Sequence, residues 1–134
     1  MEKEIIQILL ADDDADDQEL LIEAFSKTEP RVQVHTVVFG KDVIAYLDTL
    51  SESQLPELII LDYNMPDCNG VEVLSQLNKV PRYKQIPAVL WSTSNADFYR
   101  ESAQQNGARD YFYKPHRFDD VVKLSKKILS HIYA

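Results

Sequence analysis

Strict alternation of five strand-like runs with five amphipathic segments predicts an α/β fold, a parallel sheet with helices on both faces. Two further observations support it. The run Leu58-Ile59-Ile60-Leu61 has no polar alternation, which suits a strand buried on both faces. Two such runs also close on acids: Ile5 to Ala11 on Asp12-Asp13-Asp14, and Leu58 to Leu61 on Asp62. Open parallel sheets bind ligands at the carboxyl edge of their strands, so both acidic ends fall on that edge.

The strands are expected near 5–11, 33–38, 57–61, 87–92 and 109–112, and the helices near 15–27, 40–52, 70–79, 96–106 and 117–132. Asp14, Asp16 and Asp17 open the first helix, where acids favour the positive end of the dipole. After Asp62 the chain turns through Tyr63-Asn64-Met65-Pro66 and enters the third helix at Gly70. The fourth strand, Ala88-Val89-Leu90-Trp91, leads into Ser92-Thr93-Ser94. Ser94-Asn95-Ala96-Asp97 then resembles a capping box for the fourth helix, which Gly107 closes. The fifth strand runs through Tyr111-Phe112-Tyr113 into Lys114-Pro115. In the last helix Phe118, Val121, Val122, Leu124, Ile128 and Leu129 form an apolar stripe opposite Asp119, Asp120, Lys123, Lys126 and Lys127. Right-handed crossovers leave few topologies for such a chain.

At 134 residues there is room for one domain with a single core. A net charge of −8 and a pI near 4.8 argue against a general nucleic-acid or membrane-surface binder. No apolar run reaches the length of a membrane span, and Met1-Glu2-Lys3-Glu4 does not open a signal peptide. Cys68 is the single cysteine, which excludes a disulfide framework and a thiolate metal site. These features fit a reducing cytoplasm.

If the first and third strands are neighbours, Asp12, Asp13 and Asp62 converge on one pocket. Like charges that close require a cation, and an all-oxygen acidic cluster favours Mg²⁺ or Ca²⁺. Ser92 and Lys114 close two further strand ends on the same edge. Together these are the parts phosphoryl transfer uses: a carboxylate nucleophile, a divalent metal, and donors for the equatorial oxygens.

The set Asp12-Asp13, Asp62 with Met65-Pro66 and Gly70, Ser92, Asp110-Tyr111 and Lys114-Pro115 resembles the receiver domain of bacterial two-component response regulators, in order and along essentially the whole chain. The resemblance implies a flavodoxin-like (βα)5 fold with strand order 2-1-3-4-5, and a single receiver domain over 1–134 without an output domain of its own. It implies that Asp62 accepts a phosphoryl group from a histidine kinase. Mg²⁺ would bind Asp13, Asp62 and the backbone carbonyl of Asn64, with Asp12 acting mostly through water. Lys114 and Ser92 would hold the phosphoryl group, and Tyr111 would turn inward when Ser92 moves. Lys114-Pro115 would be a cis peptide. The partners implied are the kinase and a downstream target or histidine phosphotransfer protein, with the chain a monomer or weak homodimer.

Three positions depart from the commonest family pattern. Ser92 replaces Thr and keeps the hydroxyl, Thr93 replaces a small Ala, and His116 replaces Phe, with Phe118 taking over its packing. The longer link from Lys79 to Gln85 is similar to stand-alone receivers that resemble partners of phytochrome-type kinases.

Rival schemes fit less well. Asp12-x-Asp14-x-Asp16 with Glu23 mimics an EF-hand loop, but Asp17 occupies the turn position that needs Gly. A phosphohydrolase of the haloacid dehalogenase type would use Asp12, Asp14, Ser92, Lys114 and Asp119-Asp120, leaving Asp62 without a role. A constitutive interaction module would need none of these groups. His35, His116 and His131 lack ligand spacing, and Cys68 has no basic neighbour in sequence to stabilise a thiolate.

Overall fold

The computed structural model describes residues 5–133. Five parallel strands, β1 (Ile6–Ala11), β2 (Val32–Val37), β3 (Leu58–Asp62), β4 (Ala88–Ser92) and β5 (Asp110–Tyr113), form one sheet in the order 2-1-3-4-5. Helices α1 (Ala15–Thr28), α2 (Lys41–Leu47), α3 (Gly70–Asn78), α4 (Pro81–Lys84), α5 (Asp97–Gln105) and α6 (Phe118–Ser130) connect or close the strands.

Alternation of side chains along each strand divides the core into two halves. Leu9, Ala11, Ile59, Leu61 and Leu90 pack with Val43, Leu47, Val73 and Leu77 of α2 and α3. Ile8, Leu10, Ile60, Val89 and Trp91 pack with Leu21, Phe25, Val121 and Ile128 of α1 and α6. Both faces of β3 are therefore covered, and this explains its unbroken apolar run. Thr28 Oγ1 and Ser125 Oγ, 3.0 Å apart, join α1 to α6.

The strand order places β1 beside β3, with Ala11 opposite Leu61, and β3 beside β4, with Asp62 opposite Trp91. The acidic ends of β1 and β3 are thus neighbours.

Several local expectations change. The second helix stops at Leu47, and a separate 3-10 turn at Glu52–Gln54 begins on a capping box from Ser51 to Gln54. The long link into β4 contains α4, opened by Pro81 at its first turn and docked by Tyr83, whose hydroxyl donates to Asp48. The box expected at Ser94-Asn95-Ala96-Asp97 does not form. Ala96 holds the cap position without a side-chain bond, and Ser94 Oγ instead accepts from Ala96 N–H at 3.3 Å. A second capping box lies at α3, where Asn69 and Glu72 exchange bonds and put Gly70 at the first helical position. Gly107 ends α5 with φ of 92°, the left-handed conformation glycine adopts without a steric penalty. Phe118 does pack on the core, while His116 is exposed.

Candidate functional site

The end of β1 delivers Asp12, fully buried, and Asp13, exposed. Asp14 caps α1 by accepting from Asp17 N–H at 3.0 Å, which turns the chain sharply away from the sheet. Asp12 is fixed on every side: Oδ1 accepts from Asp14 N–H at 2.8 Å, Oδ2 accepts from Lys114 Nζ at 2.9 Å, and its carbonyl accepts from Gln18. Asp62, 5% exposed, stands at the end of β3. Ligand oxygens of Asp12, Asp13 and Asp62 lie within 4.8 Å of one another, the single such cluster among the described residues. A set made only of carboxylate oxygens, with one member open to water, fits a hard divalent cation.

Lys114 supplies the opposing charge. It leaves the end of β5, 7% exposed, and its Nζ lies 2.8 Å from Asp17 Oδ2, 2.9 Å from Asp12 Oδ2 and 3.5 Å from Asp62 Oδ1. Burial alone would lower its pKa, but Asp17, Asp12 and Asp62 outweigh that and hold the ammonium above the ordinary lysine value. Burial raises Asp12, against the Asp14 N–H and Lys114. Burial and then the charge of Asp12 push Asp62 up to about 7, because Lys114 offsets only part of the repulsion.

The second hydroxyl region is built on β4. Ser92 is fully buried, and its Oγ accepts from Ser94 N–H at 3.0 Å. Tyr111 is buried as well, and its hydroxyl donates to Ser94 O at 2.6 Å. Its inward position therefore exists already in this structure, and Ser92 and Tyr111 meet through a shared residue. Arg100 stacks over the Tyr111 ring at 5.1 Å and donates to its carbonyl at 3.1 Å.

The loop after Asp62 is also tied down. Asp67 accepts from Gly40 N–H and Lys41 N–H, both at 2.9 Å. Gly70 approaches so closely that a Cβ there would sit 2.6 Å from the Asp62 carbonyl oxygen. Pro66 is exposed on this loop, and Asn64 is exposed beside the acids. Asp13, Asp14, Asp17, Asp62, Asn64, Thr93 and Lys114 line a shallow cavity of about 250 Å³ at the carboxyl edge.

The Lys114-Pro115 bond, expected to be cis, is trans, as are all peptide bonds of the described residues. Trans is the intrinsic preference of an X–Pro bond, by roughly 0.5–1 kcal/mol. The trans bond still lets Lys114 reach all three carboxylates.

The sequence reading missed two neighbours of Lys114. Asp17, expected only to open the first helix, is an ion-pair partner. It heads the stripe Asp17, Leu21, Ala24, Phe25, whose later members are all buried. An acid at that helical spacing was the signal available. Trp91, expected only as the end of the fourth strand's apolar run, has its ring centroid 4.8 Å from Lys114 Nζ. The haloacid dehalogenase scheme loses its acidic pair, since Asp119 and Asp120 are exposed on α6. His35 stacks on Tyr46 and His131 pairs with Asp110, so neither is poised as a ligand. Burial, and then the charges of Asp67 and Glu72, raise the Cys68 thiol, which disfavours the thiolate.

Comparison with known proteins points the same way. The family model described as the response regulator receiver domain matches residues 8–126. The two-component response regulator ORR3 of rice is 30% identical over 122 residues, 91% of this chain and 89% of that protein. Among solved structures, the phosphorylated cyanobacterial phytochrome response regulator RcpA is 28% identical with a TM-score of 0.85, over 97% of this chain and 95% of that one. The Mn²⁺-bound form of response regulator Rcp1 is 27% identical with a TM-score of 0.80, over 93% and 92%. No described helix is long and apolar enough to cross a membrane. The chain belongs to the response regulator receiver domain family.

Proposed function

We propose that this protein is a phosphorylation-controlled binding module in which Asp62 accepts a phosphoryl group from the phosphohistidine of a histidine kinase. One observation carries the reading. A buried carboxylate at a strand end has a lysine ammonium 3.5 Å away and two further acids in reach of the same cation.

In the proposed step a carboxylate oxygen of Asp62 attacks phosphorus while the phosphorus–nitrogen bond of the phosphohistidine breaks. The electron pair stays with the imidazole. Return to the resting state needs a water oxygen to attack phosphorus, releasing inorganic phosphate and the Asp62 carboxylate. Asp13, Asp62 and the Asn64 carbonyl, with Asp12 beside them, would hold Mg²⁺, which when bound would supply charge neutralisation for the phosphoryl oxygens. Lys114 contributes a fixed positive charge, and Ser92 a hydroxyl once its loop moves toward the group. Because Ser92 and Tyr111 both bond Ser94, that movement is passed to Tyr111 and to the surface of α5, β5 and α6. Thr93 lines the rim and narrows access to phosphorus.

We assign the output to contact with another protein or transfer to a histidine phosphotransfer protein, with the 134 residues acting as one receiver unit. A phytochrome-type kinase is the donor class favoured by the similarity to RcpA. The test is incubation with an acyl-phosphate donor and Mg²⁺, borohydride trapping of the aspartyl phosphate, and mapping by mass spectrometry. Label at Asp62, lost in Asp62→Asn, is expected. Label at Asp12, or turnover of unrelated phosphate esters, overturns the reading.

A further inference from the structure

We infer that Asp17 is a positioning residue that competes with the phosphoryl group for Lys114, an inference that rests on Asp62 being the acceptor. Asp17 belongs to the inner face of α1, with Leu21, Ala24 and Phe25 following at helical spacing, whereas Asp16 beside it is exposed. Its Oδ2 accepts from Lys114 Nζ at 2.8 Å, the shortest of the three carboxylate contacts of that ammonium.

An ammonium has three N–H donors. Two go to Asp12 and Asp17, and the Trp91 ring covers another side at 4.8 Å. Asp62 receives only the long 3.5 Å contact. A phosphoryl group on Asp62 brings about −1.5 to −2 charge into the cavity that Asp17 also lines. To hold that group closely, Lys114 has to loosen from Asp17, and the Asp17 carboxylate repels the group across the same cavity. Both effects weaken the phosphorylated state. Asp12 is fully buried and keeps its bond to the Asp14 N–H, so it cannot be given up as easily. Asp17, on the rim, sets how firmly Lys114 grips the phosphoryl group.

Removing the charge at position 17 should therefore strengthen phosphoryl binding, the opposite of what loss of a merely structural ion pair does. The experiment titrates full-length wild type, Asp17→Asn, Asp17→Ser, Asp17→Glu and Asp62→Asn with beryllofluoride, at Mg²⁺ saturating for each variant. Asp17→Asn and Asp17→Ser are expected to bind about 3- to 10-fold tighter than wild type, with Asp17→Glu returning to within about 2-fold. In the metal-free protein, the ammonium resonance of Lys114 should shift in Asp17→Asn and stay in place in Asp16→Asn. Affinity equal to or below wild type in both charge-removing variants, while Asp62→Asn remains silent, overturns the inference alone. Beryllofluoride binding that survives Asp62→Asn overturns the acceptor reading, and this inference with it.

Discussion

The ammonium of Lys114 rests 4.8 Å from the ring centroid of Trp91, the only tryptophan of the chain. A cation against an indole face perturbs its emission, so the acidic pocket carries its own optical reporter. Mg²⁺ should change Trp91 fluorescence by altering the charge that Lys114 faces. Asp13→Asn should weaken Mg²⁺ binding by about 10-fold or more, since it removes one carboxylate of the cluster. Asp16→Asn, on the exposed side of α1, should change it by less than about 2-fold. Equal affinities in the two variants would place the cation elsewhere.

The pH dependence of stability follows from Asp62, whose pKa rises from 3.8 to about 7. A carboxyl with a raised folded pKa binds its proton more tightly when folded. Its contribution to stability is present below the unfolded value and is lost as pH climbs through the folded one. The metal-free protein should accordingly lose stability through this group between about pH 4 and about pH 7. Asp62→Asn should stabilise it by about 1–3 kcal/mol at pH 8, and by much less at pH 5. Denaturant titrations at both pH values, with Mg²⁺ chelated, provide the check. A gain that does not depend on pH would mean Asp62 is not the group held neutral.

Ser94 accepts from Tyr111 and donates to Ser92, and the proposed switch passes through these two bonds. With a beryllofluoride mimic, backbone amide shifts should extend from the Asp62 loop to β5 and the facing turns of α5 and α6. In Ser92→Ala the mimic should still bind, but the shifts should stop near Asp62. Full propagation in Ser92→Ala would exclude this route.

Gly70 lies against the backbone of Asp62, where an added Cβ would stand 2.6 Å from the carbonyl oxygen. That oxygen belongs to a central strand and cannot retreat. Gly70→Ala should cost about 2–4 kcal/mol and displace Asp62 enough to lower its phosphorylation rate. Thermal unfolding and the acyl-phosphate assay test the two effects. Unchanged stability would show that α3 can shift as a body.

What the sequence made legible depended on pattern length. The apolar run of β3 and the stripe of α6 each extend over enough residues to fix element type and buried face. Asp12, Asp13 and Asp62 were legible because acids closing buried strands have no packing reason to be there. Shorter features were hidden. The four residues of α4 are too few for a period, and only Pro81 marks its start. Ser94 has the composition of a cap, but it spends its backbone groups on Ser92 and Tyr111, a tertiary use that local spacing does not record. Asp17 was masked by two neighbouring acids that do belong to the helix start. Its partner lies 97 residues away in Lys114, and no local rule joins them.

The pairing of α1 with α6, joined by Thr28 and Ser125, bears on how the chain is made. Helices α1 and α6 together cover one half of the core, against Ile8, Leu10 and Trp91, and α6 follows all five strands in chain order. Until α6 is made, that half of the core has α1 alone to cover it, and Lys114, at the end of β5, is made just before α6. The wall that buries Trp91 is therefore completed only after every strand and Lys114 have been synthesised.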